Sequence, residues 1–436
     1  MTERQLGGIE ACWAISCEYA PVNAVTMLKI TGNMTTMLMR KALDQLQARH
    51  PITQTRLEKK GKKYFFRTDN VGKIPLTEDF VKTKADFDEI VADEYDIPFS
   101  YENGPFIRIR LVHVAEEAGF IYIVTNYLHA IGDGESIMNF SEEIMKICQK
   151  IAEGDENYVI EKLPEVPICE DRFPKRITSW RNRWKFLGFL WRQLKGELWT
   201  KHVRIFPKID RPPNELRTGL FEKKTDAVFV KKVAKKAKAN NANLHGAICA
   251  ASLVACYEYH ANKTKNIKTI PLKCNSLVNL RPFLEPPLEH FHYGSYISIV
   301  NSIHKVGKET DFWALSRAVR DDLVKSVKRD EHFWFALYIE PITRMTASME
   351  KEKMAALSVS NVGRMKFGQD FGPFQVVEYW GNVSNRGGGS DISLVVNSFN
   401  NQMFWSYTFT KPMVSHEEMD AIAERTIEIL AELVKE

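Results

Sequence analysis

The sequence predicts an α/β protein (α+β layered) of two domains, on three observations. Apolar runs of strand length alternate with stretches whose apolar residues recur every three or four positions, the pattern of sheets covered by helices. A chain of 436 residues exceeds what one hydrophobic core usually serves. Its 44% hydrophobic and 26% charged residues match a soluble globular chain, which argues against disorder and against a membrane-embedded class.

Taken in order, residues 24–30 read as a strand and 35–49 as an amphipathic helix with Leu38, Leu43 and Leu46 inward. Residues 53–57 and 64–67 read as a hairpin turning at Lys59-Lys60-Gly61-Lys62. A short helix near 85–94, strands at 106–114 and 120–128, and a helix over 135–153 with Ile137, Phe140, Ile144 and Ile147 on one face complete the first α/β part. Prolines at 164, 167, 207, 212 and 213 bracket a basic stretch that reads as a crossover. Beyond it, 220–230 is strand-like, 231–239 a Lys-rich helix and 245–260 a buried Ala-rich helix. Strands are predicted at 269–280, 296–303, 356–360, 374–379, 392–397 and 402–410, with a closing helix over 416–434.

Seven cysteines are scattered without CxxC or Cys/His spacing, which points to reduced, mostly buried thiols and no metal site. Residues 1–5 lack the pattern of a secretory signal, so a cytoplasmic location is expected. The longest uncharged apolar-rich stretch, Leu244 to Tyr257, is about 14 residues against the ~20 that span a bilayer. Net charge is +5, but residues 173–208 hold ten Lys/Arg and one Glu, a net +9, leaving −4 for everything else.

The most informative segment is His129-Ala130-Ile131-Gly132-Asp133-Gly134, which follows the apolar run 120–128 and precedes a helix. An imidazole at the end of a buried strand titrates near neutral pH and can take a proton from a hydroxyl, amine or thiol. The HxxxDG spacing is a signature of acyl transfer. It is joined by Ala42 to Pro51, Gly104-Pro105-Phe106-Ile107-Arg108, Val278-Asn279-Leu280-Arg281-Pro282 and Ser360-Asn361-Val362-Gly363-Arg364. With these five segments in order, the chain resembles the chloramphenicol-acetyltransferase-like, CoA-dependent acyltransferases. That superfamily includes nonribosomal-peptide condensation domains, alcohol acetyltransferases and polyketide-associated acyltransferases.

The resemblance implies two similarly folded lobes in a V around a central tunnel: 1–172 as an N-terminal lobe bearing the motif, 173–212 as a basic aromatic crossover, and 213–436 as a C-terminal lobe. It implies His129 as general base and Asp133 as an organiser of the loop through an ion pair with Arg281. Gly132 and Gly134 would supply backbone freedom beside the substrate. Ser360 and Asn361 are oxyanion-donor candidates or strand-end caps, Asn279 is a substrate-binding candidate, and Ser295, Ser298 and Ser390 are weaker donor candidates. No cofactor is expected to be permanently bound. Acyl-CoA or a phosphopantetheine-linked acyl group would be the donor, an alcohol or amine the acceptor, and an acyl carrier protein a potential partner.

Many condensation domains carry a second His before the catalytic one, whereas this chain has Leu128. That difference favours a stand-alone, ester-forming acyltransferase over an amide-forming condensation domain. A catalytically silent carrier- or lipid-binding protein is the third reading.

Residues 176–199 read as an amphipathic helix with Ile177, Trp180, Trp184, Leu187, Trp191, Leu194 and Leu198 on one stripe. The stripe covers either the protein's own core or a membrane surface, to which the protein would then be peripheral. Nucleic acid is not expected, since no nucleic-acid-binding motif accompanies the basic residues. Lys231, Lys232, Lys235, Lys236 and Lys238 read as a solvated helix face, with a CoA phosphate contact as the alternative. Gly387-Gly388-Gly389 reads as a loop and not a phosphate cradle.

Overall fold

Strand-length apolar runs from distant parts of the chain assemble into two six-stranded sheets, each within its own unit. The structure is a computed structural model that describes residues 3–435 apart from 156–157, 159–160, 166, 180–181, 200–201, 209–210, 265–266, 290, 347–353 and 387–388. In chain order, β1 (Glu3–Gln5) and α1 (Gly8–Cys17) lead to β2 (Asn23–Thr31), α2 (Thr36–Arg49), β3 (Arg56–Lys60), β4 (Lys63–Arg67), β5 (Leu76–Val81) and α3 (Lys84–Asp96). Next come β6 (Ile107–Val114), β7 (Phe120–Leu128), α4 (Gly134–Ala152), α5 (Lys175–Thr178), α6 (Arg183–Trp199), β8 (Arg217–Asp226), α7 (Ala227–Ala239), α8 (Leu244–Lys263) and β9 (Thr269–Asn279). The remainder is β10 (Ile297–Gly307), α9 (Phe312–Lys328), α10 (Glu331–Thr346), β11 (Ala355–Arg364), β12 (Asp370–Phe371), β13 (Phe374–Val383), β14 (Ser390–Phe399), β15 (Gln402–Lys411) and α11 (His416–Lys435).

Unit 1 comprises Met1–Arg172, Leu284–Tyr296 and Arg364–Ser384. Its main sheet runs β12-β13-β2-β7-β6-β5 and is antiparallel except for the β5/β6 pair. β2 and β7 are buried along almost their whole length, as strands flanked on both sides and covered on both faces must be. Helix α4 buries Ile137, Phe140, Ile144 and Ile147 as its periodicity requires, and α2 packs against it. On α2 the inward positions are Met39, Leu43 and Leu46, while Leu38 is only half-buried.

Unit 2 comprises Phe173–Phe283, Ile297–Gly363 and Asn385–Glu436, with a sheet ordered β10-β9-β11-β14-β15-β8. Its core packs α8, α9 and α11 with the buried Trp405, Tyr407 and Phe409 of β15. None of the seven cysteines forms a disulfide, and all but Cys17 are buried.

The α/β layered class is as expected, but the linear division into lobes needs correction. Residues 284–296 and 364–384, assigned by sequence to the C-terminal lobe, belong to unit 1, because β13 pairs with β2 from Gln375↔Thr31 to Val383↔Ala24. The basic segment 173–212 is not a free crossover either, since it lies in unit 2. Phe186 stacks on Tyr338 at 3.7 Å, Arg192 Nε donates to Glu331 at 2.7 Å, and Ile205 N donates to Asp391 at 2.9 Å.

The single helix predicted over 176–199 is broken at Ser179, whose extended backbone separates α5 from α6; Trp180 and the side chain of Leu198 fall outside the described residues. The strand predicted to Val230 stops at Asp226, whose carboxylate caps α7 by accepting from Val228 N and Phe229 N. The Val-Phe-Val run there resembled a strand but lies on the first turn of a helix.

Candidate active site

His129 is placed by the register of β7 on β2. Asn23 pairs with Leu128, and the His129 N–H carries the ladder one step further by donating to Val22 O at 3.2 Å. Ile131 N then donates to Leu128 O at 3.0 Å, which closes a turn and releases the chain into α4. The imidazole is buried, stacked on Trp13 of α1 with centroids 4.3 Å apart and planes inclined by 13°, and edge-on to Tyr127 at 6.3 Å. Trp13 is itself oriented, because its Nε1–H donates to Ser295 Oγ at 2.9 Å. Among the described residues, no hydrogen bond of normal geometry reaches His129 Nδ1.

Burial holds the His129 pKa below the ordinary imidazole value, against the opposing pull of its own backbone, Asp133 and Gly132. The ring is therefore neutral at neutral pH and able to accept a proton.

Asp133, four residues on, is buried and is the N-cap of α4. Its Oδ1 accepts from Ser136 N at 3.0 Å and lies 3.0 Å from Ser136 Oγ, and its Oδ2 accepts from Tyr296 N at 2.9 Å. Gly294 N also donates to Ser136 Oγ at 3.0 Å. The carboxylate thus fastens the motif loop to residues 294–296.

Neither Gly132 nor Gly134 takes a left-handed φ, so the expectation of unusual backbone freedom does not hold. A Cβ on Gly132 would press on Ser136 Cβ at 3.3 Å and Tyr127 at 3.5 Å, whereas one on Gly134 would meet nothing within 4 Å. Gly132 is closely packed; Gly134 is an exposed first helical residue.

Beneath the strand, Glu94 is buried between Arg108 and Arg110 and accepts from Asn126 Nδ2 at 2.7 Å. Burial alone would raise its pKa, but Arg108, Asn126 and Arg110 together bring it below the usual carboxylate value. This cluster braces β6 and β7 close to their Ile107↔Tyr127 pairing, two residues before His129.

The other predicted residues lie in unit 2. Asn279, the exposed last residue of β9, turns its Oδ1 back to accept from Arg281 N at 3.0 Å, and Arg281 is buried. Ser360 and Asn361 are half-buried on β11, which runs on to Arg364 and does not end at Ser360. Asn361 Oδ1 accepts from Gly363 N at 3.0 Å, closing a local turn at the left-handed Gly363 (φ +76°) and leaving the Nδ2 amide as the donor. Ser298 and Ser390 are poor oxyanion donors, because their hydroxyls donate to His332 O at 2.6 Å and Ile392 O at 2.8 Å. Ser295 instead serves Trp13. Among the described residues, no three His, Cys, Asp or Glu side chains are grouped so as to hold a metal ion.

Sequence reasoning missed Trp13, Ser136 and the Tyr296 amide. Only Trp13 left a signal, as an aromatic residue on a short apolar helix whose start is marked by Glu10 accepting from Gly7 N at 2.9 Å.

The Condensation domain family matches residues 20–332 of the chain. No curated protein sequence matches it. Among solved structures, the TRI3 trichothecene 15-O-acetyltransferase of Fusarium sporotrichioides aligns with a TM-score of 0.74 at 11% identity, over 99% of this chain and 95% of that one. The first condensation domain of the calcium-dependent antibiotic synthetase, in complex with a substrate analogue, aligns at 0.72 and 11% identity, over 100% and 97%. Polyketide synthase associated protein 5 from Mycobacterium tuberculosis aligns at 0.66 and 12% identity, over 98% and 97%. At these identities the structural likeness is one of fold.

Proposed function

The chain belongs to the condensation-domain family of acyl-transfer proteins, and on that footing we propose that it moves an acyl group from a CoA or phosphopantetheine thioester to a hydroxyl acceptor, with His129 as general base. The observation that carries this reading is the buried imidazole, kept neutral by desolvation and oriented by the Trp13 stack at the end of β7. A ring nitrogen takes the acceptor's proton as its oxygen attacks the thioester carbonyl. The tetrahedral intermediate then expels the thiolate, which receives that proton, and ester and free thiol leave. No acyl-enzyme is needed, so donor and acceptor bind together. A hydrogen-bond donor aimed at the oxyanion contributes several kcal/mol in a dry site.

A second reading, amide formation on carrier-bound substrates, is favoured by the family match itself and disfavoured by Leu128, buried where many condensation domains place another histidine. Release of free thiol by the purified protein, offered acyl-CoAs of increasing chain length with alcohols and amines, distinguishes the two. Alcohol-dependent release that vanishes in a folded His129→Ala variant supports the proposal. Equal rates in both proteins remove His129 as base, and activity confined to amines with carrier-bound donors transfers the assignment to the second reading.

A further inference from the structure

Helix α6 presents an apolar stripe that is more than half exposed. Trp184 is 80% exposed, Leu187 51%, Trp191 57% and Leu194 56%. At 100° per residue these four fall within about 80° of arc. The opposite face packs within unit 2: Phe189 is buried, Phe186 stacks on Tyr338, Arg192 pairs with Glu331, and Gln193 Oε1 accepts from Asn301 Nδ2 at 3.3 Å. The helix therefore cannot roll its outer stripe inward without surrendering those contacts.

We propose that α6 docks the protein on a membrane surface rich in anionic lipid headgroups, lying in the interface with Trp184, Leu187, Trp191 and Leu194 toward the acyl region. The charge argues for this occupant. Residues 173–208 carry +9 while the rest of the chain sums to −4, so the stripe sits in a strongly basic region of the sequence. Lys195 is exposed beside the stripe, its Nζ 5.1 Å above the Trp191 ring, an arrangement in which the ring enters the interface while the ammonium stays with the phosphates, and Lys185 is exposed on the first turn of the same helix.

A second copy of the chain would set +9 against +9, so self-association through this face is opposed by the charge that favours lipid. A nucleic acid would meet the cations but leave the apolar stripe uncovered. At 17 residues, or about 25 Å, α6 suits an in-plane helix, and no helix among the described residues is long and apolar enough to cross a bilayer. The proposal stands independently of the acyl-transfer chemistry.

The test is co-sedimentation of the full chain with vesicles of phosphatidylcholine, alone or with a large fraction of phosphatidylglycerol. Tryptophan emission should shift to the blue on binding. Tight binding to the phosphatidylglycerol vesicles, at least tenfold weaker on phosphatidylcholine alone, is expected. Trp184→Ala/Trp191→Ala should lose at least tenfold in affinity at any salt, and Lys185→Glu/Lys195→Glu should lose affinity and salt sensitivity together. These side chains are exposed, so unchanged melting temperatures will show that both variants fold.

The proposal fails if phosphatidylglycerol vesicles do not sediment the protein at low salt, or if the tryptophan variant binds them as wild type does. It fails equally if the stripe proves to hold a dimer that the tryptophan substitutions dissolve, or if duplex nucleic acid is bound in preference to vesicles.

Discussion

Replacing Asp133 separates positioning from chemistry at this site. In Asp133→Ala, Ser136 N loses its cap acceptor and the buried Tyr296 N–H loses the carboxylate oxygen that accepts from it. An N-cap is worth about 0.5–2 kcal/mol and an unsatisfied buried donor about 1–3 kcal/mol, so a local loss of about 2–4 kcal/mol is expected. A chain of two units need not unfold in one step, so a global unfolding energy is the wrong readout. Hydrogen exchange is the right one, because local opening is what the carboxylate suppresses. The amides of Ser136 and Tyr296 should exchange roughly 30- to 700-fold faster, at 1.4 kcal/mol per factor of ten. Asp133→Asn keeps one oxygen for the cap but turns an amide NH2 on Tyr296 N–H if that oxygen stays with Ser136, so only Tyr296 should be released. Acyl transfer should fall in step with these protection losses. If Asp133→Ala lost its activity while both amides kept wild-type protection, Asp133 would be acting on the reaction itself and the positioning argument would collapse.

Three further outcomes follow from the geometry. Because burial depresses the His129 pKa, the base form persists below the ordinary imidazole value: the acyl-transfer rate should be flat across neutral pH and fall only as pH drops through that depressed value, and an acid limb at or above the free-imidazole value would contradict it. Trp13→Ala should lower kcat about tenfold and move that limb upward as the ring is rehydrated, with Trp13→Phe restoring both, whereas a purely structural tryptophan would leave the profile in place. Glu94 has a depressed folded pKa, so its stabilisation is complete above the ordinary carboxylate value and is lost as pH falls through the folded one. Glu94→Ala should destabilise unit 1 by about 1.5–3 kcal/mol at neutral pH, because the half-buried Arg108 and Arg110 lose its carboxylate although Arg110 keeps Asp79; the melting-temperature gap from wild type should narrow in acid, and a gap independent of pH would count against the assignment.

The parts of the site that were legible in sequence are those packed into one short run. β7, His129, Asp133 and the α4 stripe are contiguous, so strand burial, turn and helix period could each be read from neighbours. What holds them in place comes from far away: Trp13 precedes β2, and Tyr296 N reaches Asp133 across 163 positions. No local pattern encodes such contacts, because an apolar helix at residues 8–17 and a main-chain amide at 296 look the same whether or not they meet this loop. The interleaving of the units was hidden for the same reason, since the pairing of β13 with β2 depends on tertiary register and not on propensity. For α6 the periodicity was visible, but only the burial of Phe189 against the exposure of Trp184 and Trp191 revealed which face looks outward.

The route of the chain through unit 1 bears on how the protein is made. When the ribosome has released residues 1–172, β7 has both neighbours but β2 has only one, and its other edge stays open until Val383 has emerged. Through that interval a long apolar strand presents unpaired amides and carbonyls, the condition under which nascent chains pair with the wrong partner. The unit that carries His129 is thus not an early product of translation. A fragment cut at Arg172 would lack both the Tyr296 amide that anchors Asp133 and the strand that seals β2, and recombinant N-terminal halves should collect as aggregates instead of as a folded, half-sized acyltransferase.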